Sequence, residues 1–248
     1  MAYTTIDDPT IFFNTLIWTG NGASSRAISG LGFQPDWSWF KERSGAEDHI
    51  LFDSVRGATK RIYSNSNAAE TDSGADRRLL SFDSDGFTVG LDLGINGNTE
   101  TYVGWNWKAG TSFTNDASST GIGSIDSAGS VNDTAGFSIC THTGTGSTAT
   151  IKHGLTSAPK MIITKKRSAT GGWQVGHESI GWGNGVYLND TDASTGDAGA
   201  WNSTAPTSSI FTVGNSSFTN QSSATYVSYI FAEKKGYSKF GSYTGNGN

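Results

Sequence analysis

The chain has 248 residues, with 33 Gly and 4 Pro, and 16% of its residues are charged. This composition is typical of a turn-rich β protein, and no segment keeps a helical apolar period over three turns. A net charge of −5 argues against nucleic acid as a partner. No apolar run is long enough for membrane insertion, and the first residues do not resemble a signal peptide.

The chain opens with a lead segment, residues 1–12, in which Asp7-Asp8-Pro9 predicts a turn. Apolar residues such as Ile11 and Phe12 recur within it. A flexible linker has no need of such residues, so we expect this segment to dock on another domain or another subunit.

Residues 13–109 are repeated by residues 137–233 without a gap. At a constant offset of 124 residues, about a quarter of the positions carry the same residue, which indicates duplicated domains rather than a solenoid. Each unit is long enough to bury a core of its own. The matching stretches include Thr19-Gly20-Asn21-Gly22 with Thr143-Gly144-Thr145-Gly146, Phe87-Thr88-Val89-Gly90 with Phe211-Thr212-Val213-Gly214, and Thr101-Tyr102-Val103 with Thr225-Tyr226-Val227.

Apolar residues alternate along the predicted strands of both units. Val103, Trp105 and Trp107 share one strand face, and that face stays large and apolar in the second copy. The pattern predicts an all-β fold of two tandem homologous antiparallel β-sandwich domains, of jelly-roll or lectin-like type. The residues expected to form the cores on this basis are Trp37, Trp39, Trp105, Trp107, Met161, Ile163, Tyr229 and Phe231.

Two further segments complete the chain. Residues 110–136 form a connector rich in Gly, Ser, Asp and Asn, in which Ile122 and Ile125 favour a hairpin or an extended arm over a free linker. Residues 234–248 contain a restatement of the opening strand of a unit, at residues 237–247. We therefore expect the start of a truncated third unit, with pairing of this strand by strand addition as the alternative.

Residue types that support catalysis or metal binding do not form a recognisable constellation. The lone Cys140 matches Leu16 in the repeat, so we interpret it as a small core residue. Asp83-Ser84-Asp85-Gly86 resembles part of a calcium loop but lacks a closing Glu, and no acidic pair is kept in both units. The sequence therefore predicts no enzyme activity, no catalytic residues, no metal site and no cofactor. The four histidines, none with metal-ligand spacing, are His49, His142, His153 and His177.

A basic pair is kept in both copies. Lys41 and Arg43 lie on one face of a predicted strand, and Lys165 and Arg167 take the same places in the second unit. One interpretation is a solvated edge that discourages aggregation. The other is a charged contact with a neighbouring subunit or unit, which makes all four candidate interface residues.

Three tryptophans occur in the second unit alone. Trp173, Trp182 and Trp201 match His49, Ala58 and Arg77 in the first unit, so they are not part of a shared core. Aromatic rings on loops of a Gly-rich and Asn-rich β protein suit sugar stacking or a protein interface. We therefore predict that these three rings contact a ligand or a partner.

Distinctive stretches occur along nearly the whole chain, at residues 3–9, 30–36, 51–60, 81–90 and 105–110. In these stretches the chain resembles tandem-domain virion proteins, associated with tails or fibres, of marine tailed phages. The resemblance implies a structural role and localisation in the virion. It carries over no catalytic or ligand-binding residue.

The function predicted from these features is that of a non-enzymatic virion structural protein, such as a tail fibre, tail-knob or adaptor component with host-surface glycan contact. Its expected partners are other virion proteins of the tail, portal or capsid, and further copies of itself as a homo-oligomer. One alternative is a capsid decoration or head-fibre protein, which differs in its copy number per particle. A second alternative is a tailspike-like glycan depolymerase, which would release reducing ends from host polysaccharide.

Overall fold

A computed structural model describes residues 4–74 and 77–247. Within these residues strands dominate, each α-helix spans four residues, and the strands pair in antiparallel fashion. The prediction of an all-β protein is therefore confirmed. Residues 1–3 of the lead segment and residue 248 of the expected third unit lie outside the described residues, as do residues 75 and 76.

The regular elements follow one another closely along the chain. The first part contains β1 (Phe13–Thr19), β2 (Arg26–Ser29), β3 (Trp37–Glu42), β4 (Ile50–Asp53), β5 (Lys60–Tyr63), β6 (Thr71–Asp72), β7 (Leu79–Asp83), β8 (Gly86–Val89), α1 (Leu93–Asn96) and β9 (Thr101–Trp107). The second part contains β10 (Thr111–Asn115), α2 (Ala117–Thr120), β11 (Ser127–Asn132), β12 (Phe137–Thr143), β13 (Ala149–Lys152), β14 (Met161–Lys166), β15 (Trp173–His177), β16 (Asn184–Tyr187), β17 (Thr195–Gly196), α3 (Ala198–Trp201), β18 (Ile210–Val213) and β19 (Thr225–Phe231). Single 3₁₀ turns lie at Pro9–Ile11 and Glu178–Ile180.

The two larger sheets share one strand order. In the first half (residues 13–109) the order is β1-β9-β3-β4-β5-β6, and in the second half (residues 137–233) the corresponding strands run β12-β19-β14-β15-β16-β17. Each larger sheet packs on a smaller one, β2-β8-β7 in the first half and β13-β18 in the second. The repeat in the sequence is thus also a repeat in strand order.

A hydrogen-bonded turn before the last strand is built alike in both halves. The hydroxyls of Tyr102 and Tyr226 each bond two backbone groups of the preceding loop. The side-chain amides of Asn96 and Asn220 each donate to carbonyls of two other loop segments. Such a buried network is satisfied only when every partner is present, so it fixes the same loop shape twice. The tyrosine partners are Leu93 O and Gly97 N in the first half, and Ser217 O and Gln221 N in the second.

Among the residues that the structure describes, three apolar clusters lie in successive layers. One lies between the larger and the smaller sheet of each half, and the third lies between the two larger sheets. At the centre of this third layer, Trp37 of the first half is 2% exposed and stacks on Tyr229 of the second half, with ring centroids 4.2 Å apart. The two halves are therefore joined by an apolar layer with a buried centre and half-buried side chains around it.

The last strand of the first half shows which side chains fill each layer. Tyr102 and Asn106 are fully buried toward the smaller sheet, whereas Trp105 and Trp107 are half-buried on the opposite face. The expectation that the face of Val103, Trp105 and Trp107 forms the core of its own half is therefore wrong. The larger sheet is covered on both sides: one face packs on the smaller sheet of its own half, and the face of Val103, Trp105 and Trp107 points toward the other half. Of the expected core residues, Trp37, Ile163 and Tyr229 are buried, and Trp39, Trp105, Trp107, Met161 and Phe231 are half-buried.

The connector is part of the second half's sheet. Its strands β10 and β11 form a hairpin, and β11 pairs along β12 from Ser127 to Asn132. Phe113 and Ile125 pack against the inner core of the second half. The connector therefore adds two strands at the edge of β12, whereas the corresponding strand β1 has no such neighbour among the described residues.

The two ends of the chain meet beside the layer between the halves. Phe12 contacts Tyr237 edge-on at 6.2 Å, and Phe240 packs on Phe231 at 5.7 Å. Residues 239–247 form no strand, although the repeat predicts an opening strand there. An opening strand pairs with the last strand of its own unit, as β1 does with β9, and the described part of the chain holds no third such strand. The aromatic residues instead close an apolar cleft of about 330 Å³.

Candidate functional site

The three tryptophans predicted to meet a ligand are all buried. Trp173 and Trp201 are fully buried, and Trp182 is 8% exposed. Trp182 and Trp201 meet edge-to-face at 5.8 Å in the inner core of the second half. These rings fill space inside the protein, so they present no free face to a sugar or a partner.

An exchange of large and small residues explains why the second half alone carries these two rings. Gly176 lies against both, and a Cβ atom there would come within 2.6 Å of Trp182 and 2.7 Å of Trp201. The first half has Phe52 at the position of Gly176 and Ala58 at the position of Trp182. The first half fills this volume from the strand β4, whereas the second half fills it from the turn before β16 and from α3, and the paired exchange of Phe52 for Gly176 and Ala58 for Trp182 is visible in the sequence.

Trp173 instead lies at the junction between the halves. Its indole N–H donates to the backbone carbonyl of Tyr63, at 2.8 Å, in the first half. The Lys165 ammonium lies over the Trp173 ring, 5.9 Å from its centroid, and donates to the carbonyls of Asn67 (3.0 Å) and Gly171 (2.5 Å). Burial lowers the pKa of Lys165 to about 8, and the neighbouring charge of Lys166 acts in the same direction.

Arg167 makes the second charged contact across this junction. Its Nε and Nη2 atoms donate to the two carboxylate oxygens of Glu70, at 2.9 and 3.0 Å. Glu70 also accepts from Arg56 Nη1 at 2.9 Å. Burial opposes ionisation of Glu70, but the hydrogen bond from Arg167 and the charge of Arg56 outweigh it and lower the pKa. Lys165 and Arg167 therefore contact the other half, as the second interpretation of the basic pair expects.

The corresponding pair in the first half does not reach the other half. Lys41 Nζ donates to the carbonyls of Glu42 and Gly45 in its own loop. Arg43 is exposed, and its guanidinium has no protein partner among the residues that the structure describes. The same residue types thus make different contacts in the two halves, because only the second-half pair faces residues 67–70.

A buried ionic cluster lies at the centre of the junction. Arg56 Nε binds the Asp53 carboxylate at 2.5 Å, and Tyr229 Oη of the second half donates to the same carboxylate at 2.7 Å. Burial acts to lower the pKa of Arg56, but Asp53, Tyr229 and Glu70 together more than offset it, so the pKa lies above its ordinary value. Burial raises the pKa of Tyr229 well above its usual range. Arg56 therefore stays charged and the Tyr229 hydroxyl stays protonated at neutral pH.

Sequence reasoning did not find this cluster. Asp53 and Arg56 follow the apolar run Ile50-Leu51-Phe52, and the second half has His177 and Ile180 in their places. Charged residues next to a buried strand in one copy alone are the available signal. They indicate a contact that only that copy makes.

The ionic cluster at the junction is closed to solvent. Every member of the ionic cluster is satisfied by other protein groups, and the side chains of Asp53 and Arg56 are fully shielded from solvent. Elsewhere, burial raises the pKa of the Cys140 thiol to about 12, which leaves it un-ionised at neutral pH. Over residues 4–74 and 77–247, no three His, Cys, Asp or Glu side chains are grouped as metal ligands.

The helices of the described residues are all too short to cross a membrane.

Comparison with known proteins places the chain in one family. No curated protein matches it, and neither does any solved structure. The family described as "Domain of unknown function (DUF7483)" matches residues 8–248, which include both halves, the connector and the C-terminal segment. The match covers nearly the whole chain, and the chain therefore belongs to the DUF7483 family.

Proposed function

We propose that this protein is a non-enzymatic structural component of a virion. The observation that supports a structural role best is the junction, in which an aromatic layer and a buried ionic cluster hold two β halves together. A well-packed interface of this kind resists relative motion of the halves, which suits a part that transmits position or force. The virion setting rests on the resemblance of residues 30–36, 51–60 and 81–90 to tail-associated virion proteins.

The finer architecture in this proposal is a tandem pair of homologous antiparallel β-sandwich domains, residues 13–109 and 137–233, of jelly-roll or lectin-like type. Three features support it: the offset of 124 residues in the sequence, the equal strand order, and the duplicated tyrosine turn.

Within the particle, we favour a tail fibre, tail-knob or adaptor position, with other virion proteins and further copies of the same chain as partners. The alternative is a capsid decoration or head-fibre protein. The glycan contact expected of a tail protein cannot use Trp173, Trp182 or Trp201, because these rings are buried.

Quantitative mass spectrometry of purified particles tests the proposal. A copy number equal to a small multiple of the tail symmetry would support the tail position, and copies in proportion to the capsid lattice would support decoration. Absence of the protein from particles would overturn the virion role. Release of reducing ends from host polysaccharide by the purified protein would overturn the non-enzymatic role and favour a depolymerase.

A further inference from the structure

Two surface depressions lie at corresponding positions in the two halves. One, of about 190 Å³, is lined by Thr19, Arg43 and Thr101 together with Ile17 and Trp18. The other, of about 440 Å³, includes the residues at the same five positions plus an offset of 124. The five second-half residues are Thr141, His142, Thr143, Arg167 and Thr225.

Three of the five positions carry identical residues in both halves. They are the two threonines that pair across the opening and last strands, and the arginine at the end of the neighbouring strand. Arg167 has Glu70 as a partner, whereas Arg43 is exposed and unpaired among the described residues, so a common ion pair does not account for the arginine. Only about a quarter of all positions are identical, and solvent-facing positions are the freest to change.

The connector turns the second depression into a cleft. Its hairpin β10-β11 stands beside β12 and adds a wall that includes Thr114, Asp116 and Asp126. The first half has no strand at the corresponding edge of β1 within the described residues, which leaves its depression shallow. The larger cleft falls in the range of small-molecule sites, roughly 300–1,000 Å³.

The groups that line this cleft favour a neutral ligand rich in hydroxyls. The hydroxyls of Thr143 and Thr225 have no protein hydrogen-bond partner in the part of the chain that the structure describes. One carboxylate oxygen of Asp126 accepts a hydrogen bond from the backbone N–H of Ala117. Glu70 holds the guanidinium of Arg167 through two of its nitrogens. The cleft therefore presents both donors and acceptors, as polyol recognition requires.

Other ligand classes fit less well. The carboxylates of Asp116 and Asp126 repel an anion, and Glu70 already neutralises the charge of Arg167. An apolar ligand would strip water from the threonine hydroxyls without replacing their hydrogen bonds.

We propose that the cleft between the connector hairpin and the strands β12 and β19 is a binding site for a neutral oligosaccharide. Thr143 and Thr225 bind sugar hydroxyls, Asp126 accepts from them, and Arg167 is held in place by the junction between the halves. The depression at Thr19 and Thr101 carries the same two threonines and arginine without the second wall, and we expect it to bind sugar much more weakly.

An array of neutral and acidic oligosaccharides, including maltotriose, cellotriose and chitotriose, tests the site. The probe retained best is then titrated calorimetrically into the whole chain. The double variant Thr143→Val with Thr225→Val should lose about tenfold or more in affinity, because two hydrogen bonds are removed with little change of shape. The matched variant Thr19→Val with Thr101→Val makes the same change in the shallow depression and should bind within about twofold of the parent.

Three results would overturn the site. They are retention of no neutral oligosaccharide, preference for acidic over neutral probes, or equal weakening by the two double variants. Thermal unfolding of both double variants checks that they remain folded. The sugar affinity of Asp126→Asn, measured in the same way, tests the contribution of the wall that the connector adds. The result is separate from the virion role, since particle composition does not depend on sugar binding.

Discussion

At the scale of single residues, the buried polar groups of the junction matter most. In this cluster, Asp53, Arg56 and Tyr229 form hydrogen bonds with one another instead of with water. The loss of any one of them leaves the others with unmade hydrogen bonds in a region of low dielectric. A buried ionic cluster is weak evidence for high stability, but breaking it is costly. The hydroxyl of Tyr229 is the member that can be removed with the least change of shape.

Tyr229→Phe should lower the free energy of unfolding by about 1–3 kcal/mol, because the Asp53 carboxylate loses a hydrogen bond while it stays buried. Urea denaturation measures this change. Tyr243→Phe is the matched control, since Tyr243 is 93% exposed, and it should leave the midpoint unchanged. Equal midpoints for Tyr229→Phe and the parent would show that the hydroxyl contributes nothing.

His142 gives the protein a dependence on acid. Burial lowers the pKa of His142 to about 4, against 6.5 for an exposed imidazole. The unfolded chain therefore binds the proton of His142 more tightly than the folded chain does. The stability that the neutral His142 contributes is fully present above pH 6.5 and is lost as the pH falls toward 4. The loss due to this residue is on the order of 3 kcal/mol.

His142→Asn should flatten this part of the stability curve, as measured by urea denaturation at intervals between pH 7 and pH 4. His153, whose pKa burial also lowers to about 4, remains in that variant and should keep a residual slope. Identical slopes for the parent and His142→Asn would contradict the assignment.

In the first half, Trp18 takes the place of His142. Its indole N–H donates to the carbonyl of Ile95, at the position where His142 Nε2 contacts the carbonyl of Thr219 in the second half.

At the scale of elements, corresponding strands reach the same fold with different side chains. On β15, Gly176 makes room for Trp182 and Trp201, where β4 of the first half has Phe52. A core that conserves its total volume tolerates such exchanges, provided that large and small residues change together. These positions should therefore be energetically coupled.

A double-mutant cycle tests the coupling. Gly176→Ala should cost about 1–3 kcal/mol through overpacking, and Trp182→Ala about 3–5 kcal/mol through the cavity that it leaves. The double variant should cost less than the sum of the two, because the added methyl group enters the vacated space. Strict additivity would show that the two side chains do not share that volume.

The elements also show what the sequence can and cannot predict. Alternation along residues 101–107 and 225–231 predicts two strands, and the repeat predicts that their order is shared. Alternation does not tell which face meets the other half, because both faces of these strands are covered. Trp173 shows the same limit, since a residue absent from one copy can serve a contact between the copies.

The candidate site was predictable in part. Lys165 and Arg167 were identified from the repeat, and their contact with the other half was one of two open interpretations. Their partners, the carbonyl of Asn67 and the carboxylate of Glu70, lie about a hundred residues away in the sequence. Nothing in local composition marks such a distant pairing, which depends on how the two sheets pack.

At the scale of the whole molecule, the two halves depend on each other. Each presents to the other a sheet face that is apolar across several strands, with Trp37 and Leu51 on one side and Ile139 and Tyr229 on the other. Exposed apolar faces of this extent drive association. A half produced alone is therefore expected to be a poor monomer.

Residues 110–248, produced without the first half, should dimerise or aggregate, as measured by light scattering after gel filtration. Mixing them with residues 1–109 during refolding should restore a one-to-one complex of the mass of the whole chain. A stable monomer of residues 110–248 that fails to bind the other fragment would contradict this view of the junction.

The one-sided placement of the ionic cluster makes the two halves non-equivalent. Arg56 and Asp53 meet the Tyr229 hydroxyl, whereas a pair of first halves would set Trp105 against Arg56, and a pair of second halves would set Tyr229 against Ile180. The first pairing offers the guanidinium no hydroxyl, and the second offers the hydroxyl no carboxylate. The two halves are therefore not interchangeable at the junction, and a chain built from two first halves or from two second halves would lack this ionic cluster.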